Sequence, residues 1–80
     1  QSSKLRLFPN PVNRGGDLTV LSKWNDTNYT INIYDGVGRI VFSTTGNGDL
    51  LNIKAPLIPG FYHLELIGIH SRESARFVVN

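Results

Sequence analysis

Tyr29-Thr30-Ile31-Asn32-Ile33-Tyr34-Asp35-Gly36-Val37-Gly38-Arg39-Ile40-Val41-Phe42-Ser43 is the stretch that decides the fold. Tyr29, Ile31 and Ile33 alternate with Thr30, Asn32 and Tyr34, the two-residue period of a strand with one face buried. Asp35-Gly36-Val37-Gly38 then closes a hairpin, because two glycines accept the positive φ values that tight hairpin turns demand. The chain returns over residues 39–43 with Ile40, Val41 and Phe42 consecutive, as in a strand covered on both faces.

The same alternation continues on either side. Upstream, residues 17–22 place Leu18 and Val20 on one face, and residues 4–8 set Leu5 and Leu7 against Lys4 and Arg6. Between these strands Phe8-Pro9-Asn10-Pro11 reads as a stiff corner, since each proline fixes its own φ and pushes its predecessor toward extended geometry. Gly15-Gly16 supplies a turn, and residues 23–28 form a polar connection holding the sole tryptophan, Trp24. Downstream, residues 44–49 read as loop and residues 50–54 as a strand pairing Leu51 with Ile53. Pro56 and Pro59-Gly60 mark a corner, with Pro-Gly suited to the centre of a type II turn. Residues 61–67 set Tyr62, Leu64 and Leu66 opposite Phe61, His63, Glu65 and Ile67. After a loop at 68–72, residues 73–79 point Phe77 and Val79 inward.

Seven strands at roughly 10-residue spacing predict an all-β fold, a seven-stranded antiparallel immunoglobulin-like β-sandwich. Its expected core is Leu7, Val20, Ile31, Ile33, Phe42, Ile53, Tyr62, Leu64, Leu66 and Phe77. The Cys-Trp-Cys centre of true immunoglobulin domains is missing, so only the architecture is implied.

The chain has 80 residues, 40% of them apolar and 18% charged, which suits a single small domain. Residues 1–3 read as a linker remnant and 4–80 as the domain. With no initiator Met and no signal-peptide pattern at Gln1-Ser2-Ser3-Lys4, the chain reads as an excised domain or the tail of a longer precursor. The absence of cysteine excludes disulfides, thiolate metal cages and a nucleophilic thiol. A net charge of +2, scattered along the chain, gives no electrostatic footprint for nucleic acid. No window approaches the ~20 apolar residues of a membrane-spanning helix.

Chemistry-bearing residues are present without a catalytic constellation. His63 and Glu65 share a strand face, but two ligands do not make a metal site, and the pair reads as a solvent-facing polar row. His70 lies in a loop. Asp17, Asp26, Asp35 and Asp49 fall in or beside loops, where Asx turns account for them, without EF-hand spacing. Asp35-Gly36-Val37-Gly38 shares only its glycine content with phosphate loops, because a strand follows it and no helix dipole is available. Trp24, beside Lys23, suits either stacking on a sugar or capping one end of the sandwich. The residues therefore imply no enzyme, no cofactor and no metal.

Four segments, in order, resemble the type A C-terminal sorting domain of the type IX secretion system. Leu5-Arg6-Leu7-Phe8-Pro9-Asn10-Pro11-Val12 is similar to that family's strand followed by Pro-Asn-Pro. Ile31 to Val41 resembles its apolar strand, Asp-x-x-Gly turn and following basic residue. Leu57-Ile58-Pro59-Gly60-Phe61-Tyr62-His63-Leu64 is similar to its Leu-x-x-Gly-x-Tyr segment, and Ser74-Ala75-Arg76-Phe77-Val78-Val79 to its terminal basic-aromatic-valine strand. Arg76 replaces the usual lysine with retention of charge, and Asn80 stands where many members carry a basic residue.

The resemblance implies a non-catalytic address that directs an attached cargo from the periplasm through an outer-membrane translocon to the cell surface or medium. Its implied partners are the translocon or a shuttle protein and a surface sortase, which commonly removes the domain and joins the cargo to an anionic lipopolysaccharide. Arg76, Phe77, Val78 and Val79 are the implied recognition strand, and Pro9, Asn10, Pro11, Asp35, Gly38, Gly60 and Tyr62 the implied scaffold. At a sheet edge that strand is expected to leave one row of backbone groups unpaired, open to an added strand. Arg76 and Val78 would face outward, Arg76 either meeting a carboxylate or serving as a solvated edge charge. Two alternatives belong to other classes: a carbohydrate-binding or adhesive module stacking through Trp24, Tyr29 and Tyr34, and a structural spacer of a multidomain secreted protein.

Overall fold

The computed structural model describes residues 5–22, 28–69 and 71–80. Lys4, Trp24, Asp26 and His70 lie outside the described residues. Seven strands follow in chain order: β1 Arg6–Phe8, β2 Asp17–Leu21, β3 Tyr29–Tyr34, β4 Ile40–Gly46, β5 Leu50–Lys54, β6 Gly60–Ile67 and β7 Arg72–Val79. They form two antiparallel sheets, one ordered β1-β2-β5 and the other β4-β3-β6-β7. The immunoglobulin-like sandwich read from the alternation is the fold.

The inner faces meet in one core. Leu18, Ile31, Ile33, Leu64 and Leu66 have no exposed surface, and Val12, Val20, Phe77 and Val79 are nearly as enclosed. Each such side chain contributes about 1.5–3 kcal/mol by leaving water. Cross-strand register explains the alignment: Ile33 lies opposite Leu64, Ile31 opposite Leu66, and Tyr62 opposite Phe77, with those two rings stacked at 5.6 Å.

Four sequence expectations are corrected. Ile40, Val41 and Phe42 are exposed and not covered on both faces, and Phe42 leaves the core list at 38% exposure. The four-stranded sheet is one strand wider than its partner, and β1 meets β7 on the opposite side. β4 therefore overhangs. Phe42 pairs with Ile33 on the inner face but lies at this uncovered edge, while Val41 is the extra residue of a β-bulge between the Ile33–Phe42 and Tyr34–Ile40 pairs. Second, β4 runs on through Thr44, Thr45 and Gly46, because Tyr29 and Thr30 remain available to pair with them. Third, Gly60 has φ 157° and already pairs with Val79 as the first residue of β6, far from the φ near +80° of a type II turn. The strand expected over 17–22 ends at Leu21, with buried Ser22 donating its N–H to the Asp49 carbonyl at 2.9 Å.

Candidate functional site

β7 is a long, regular strand because Ala75, Phe77 and Val79 alternate with Ser74, Arg76 and Val78 along a partner of matching length. It is an edge strand of the four-stranded sheet. Its four singled-out residues divide by face: Phe77 and Val79 belong to the core, whereas Arg76 is exposed and Val78 half-buried on the outer face.

The outer backbone row of this strand is not open along its whole length, which corrects the expectation of a fully unpaired edge. The Val12 N–H donates to the Val78 carbonyl at 2.9 Å, and the Asn80 N–H to the Val12 carbonyl at 2.9 Å, making a short parallel bridge. Just before it, Asn10 does with its side chain what a strand does with its backbone. Its Oδ1 accepts the Val78 N–H at 3.0 Å, and its Nδ2 donates to the Arg76 carbonyl at 3.2 Å. The neighbouring prolines explain the substitution: Pro9 and Pro11 carry no N–H, so the main chain of this segment cannot build a ladder. Arg14 closes the end, donating both its backbone N–H and its Nε to the Asn80 carbonyl at 3.3 Å. Residues two apart share a strand side, so the Arg72 and Ser74 backbone groups face the same way. Among the described residues no strand pairs with them there.

The outer face carries the rest of the geometry. Tyr34, His63 and Arg76 lie directly opposite one another on β3, β6 and β7, and Tyr34 stacks on His63 with centroids 4.8 Å apart. Glu65 accepts the Tyr34 hydroxyl at 2.8 Å and pairs with the Arg72 guanidinium at 3.2 Å, so the His63–Glu65 row is a packed cross-strand network. Asp35 organises the hairpin. Its Oδ1 accepts the Val37 and Arg39 N–H groups at 3.0 Å each, and its Oδ2 accepts Arg39 Nε at 2.9 Å. These bonds, that from the Arg39 N–H foremost, hold its carboxyl below the usual carboxylate range. Gly38 sits at φ 89°, the positive value that the turn requires.

Tyr62, also expected as scaffold, packs into the core. The Tyr62 ring is buried, and its hydroxyl donates to the Ile58 carbonyl. Tyr29, a candidate for sugar stacking, is a core residue whose hydroxyl donates to the Gly48 carbonyl at 2.8 Å. Burial, reinforced by the Asp49 charge, raises its pKa. Sequence reading missed the Asn10 contact with β7. The only local signal was an asparagine flanked by two prolines, a residue rich in side-chain hydrogen bonds where the backbone is poor in donors. It also missed how strongly Phe61, Ile58 and Val37 are exposed, at 76%, 73% and 78%.

Known proteins are similar to this chain. A family model described as the secretion system C-terminal sorting domain matches residues 6–80. An endo-acting ulvan lyase of Formosa agariphila is 34% identical over 67 residues, covering 81% of this chain and 12% of that protein. Among solved structures, that of PorZ, an essential bacterial surface component of the type-IX secretion system of Porphyromonas gingivalis, superposes with a TM-score of 0.70 at 18% identity. The likeness covers 95% of this chain and 11% of that one, and at this identity it speaks for the fold. The chain thus spans about an eighth of the length of the lyase that it matches.

Proposed function

The chain belongs to the secretion-system C-terminal sorting domains, the non-catalytic signals of type IX secretion, and we propose that its address is the Arg76–Val79 end of β7 held in place by the Pro9-Asn10-Pro11 segment. Sorting by this family carries the attached protein through the outer membrane, to the cell surface or the medium. The observation that supports the strand assignment is the hydrogen bonding of Asn10 to Val78 and Arg76, 68 and 66 residues away. It joins two segments that the resemblance singled out separately, giving each a physical reason to accompany the other.

In this reading Phe77 and Val79 anchor the strand and Arg76 and Val78 present it. The partner is the outer-membrane translocon or a shuttle protein, after which a surface sortase removes the domain and joins the cargo to anionic lipopolysaccharide. Residues 4–80 act as one sorting domain, with 1–3 as the end of a linker. The test joins this chain to the C-terminus of a fluorescent reporter that has its own inner-membrane export signal, in a host with the type IX machinery. Protease-accessible reporter at the surface is the expected result. Reporter retained in the periplasm with the intact domain attached would overturn the reading.

A further inference from the structure

Resting on that reading, we infer that the address is read from the outer face of β6 and β7, by a protein segment presenting an apolar side chain beside a carboxylate. The sealed edge is the first reason. From the Arg76 carbonyl to Asn80 the outward backbone groups already hold bonds to Asn10, Val12 and Arg14, so an added strand would have to displace them. Side chains on the face need no such displacement.

The second reason is what the face offers. Phe61 lies directly opposite Val78 on the next strand, and Phe61, Ile58 and Val37 line one open cleft between the β3–β4 hairpin and the β5–β6 loop. Large apolar groups so exposed and so close together mark a contact surface, since scattered single residues would suffice for an ordinary exterior. A neighbouring hollow joins Phe61 to His63 and Arg76.

Charge selects the occupant. Arg39 is paired with Asp35, Arg72 with Glu65, and Lys54 with Asp17. Arg76 has no carboxylate partner among the described residues, and it borders the apolar cluster. A segment whose apolar side chain enters between Phe61 and Ile58 brings a neighbouring carboxylate to this guanidinium, where a forked, charge-assisted contact forms.

The experiment uses the reporter fusion with Phe61→Ser, Arg76→Glu, and Leu50→Ser as an exposed apolar control on the other sheet. Tenfold or greater loss of surface delivery is expected for each of the first two, with none for the control and with melting temperatures unchanged. A photocrosslinking residue at position 61 should join the fusion to an outer-membrane protein of the export machinery, whereas one at position 50 should not. Normal delivery of Phe61→Ser would overturn the inference while leaving the sorting reading intact. Crosslinking from position 61 to a second copy of the fusion, or to lipopolysaccharide, would overturn it by naming a different occupant. Failure of the unaltered fusion to reach the surface would remove both.

Discussion

Asn10 occupies, against Val78, the place of a residue on a neighbouring strand: its Oδ1 accepts the Val78 N–H at 3.0 Å while its Nδ2 reaches the Arg76 carbonyl at 3.2 Å. One amide side chain thereby satisfies an acceptor and a donor on the part of the edge beside the two prolines, just before the backbone bridge at Val12 begins. The contact is exposed, so water can replace a lost bond, and its worth lies near the low end for such pairs.

Asn10→Ala should therefore cost about 1–2 kcal/mol, lowering the melting temperature by roughly 4–15 °C in a domain this small. Asn10→Asp keeps the acceptor but sets a second oxygen against the Arg76 carbonyl, and should cost at least as much at pH 7. Amide exchange at Val78 should quicken in both variants. Unchanged exchange there would show that the clasp contributes nothing in solution.

Core and overhang should respond differently. Ile33→Ala and Leu64→Ala remove fully buried groups and should each cost about 2–5 kcal/mol. Phe42→Ala, from an inner-face position with 38% exposure, should cost less than either. Denaturant titration of the three variants gives the order, and a Phe42→Ala loss equal to that of Ile33→Ala would contradict the overhang.

The β3–β4 hairpin, its first strand and its turn, was legible because alternation and turn glycines are local signals. Three things were not. Whether Ile40, Val41 and Phe42 are covered depends on how many strands the other sheet contains, which no window of β4 records. Asn10 finds its partners more than 60 residues away, so local spacing gives only the missing N–H groups of its prolines. The outer-face cleft forms where Val37, Ile58 and Phe61 converge from different segments, a product of topology.

Gly38 has open space around it but φ 89°, so Gly38→Val should destabilise through backbone strain of about 1–2 kcal/mol. A crystal structure of that variant should show neighbours in place. At Gly46 the obstacle is contact, since an added Cβ would stand 2.9 Å from Leu51 Cδ2.

Acid and base act on different residues. The folded-state pKa of Asp35 is lowered, first by the Arg39 N–H, so its stabilisation is present above the unfolded carboxylate value and is lost as pH falls below about 4. Asp35→Asn should flatten that acid limb in melts taken across pH 2–5 (about the carboxylate range). Tyr29 has the opposite sign. Its pKa is raised by burial, so the stability it confers holds below about pH 10 and declines above it as the unfolded phenol ionises first. Absorbance titration should show a late-ionising component that disappears in Tyr29→Phe.

Surface delivery of the reporter fusion carrying Arg76→Glu with Val78→Asp reads out whether the Arg76–Val79 end of β7 is the address. Both side chains point away from the core, so the melting temperature should stay close to that of the unaltered domain. Reporter held in the periplasm, with the folded domain still attached, is the expected result. Folded domain and normal delivery to the surface would contradict the assignment of this strand as the address.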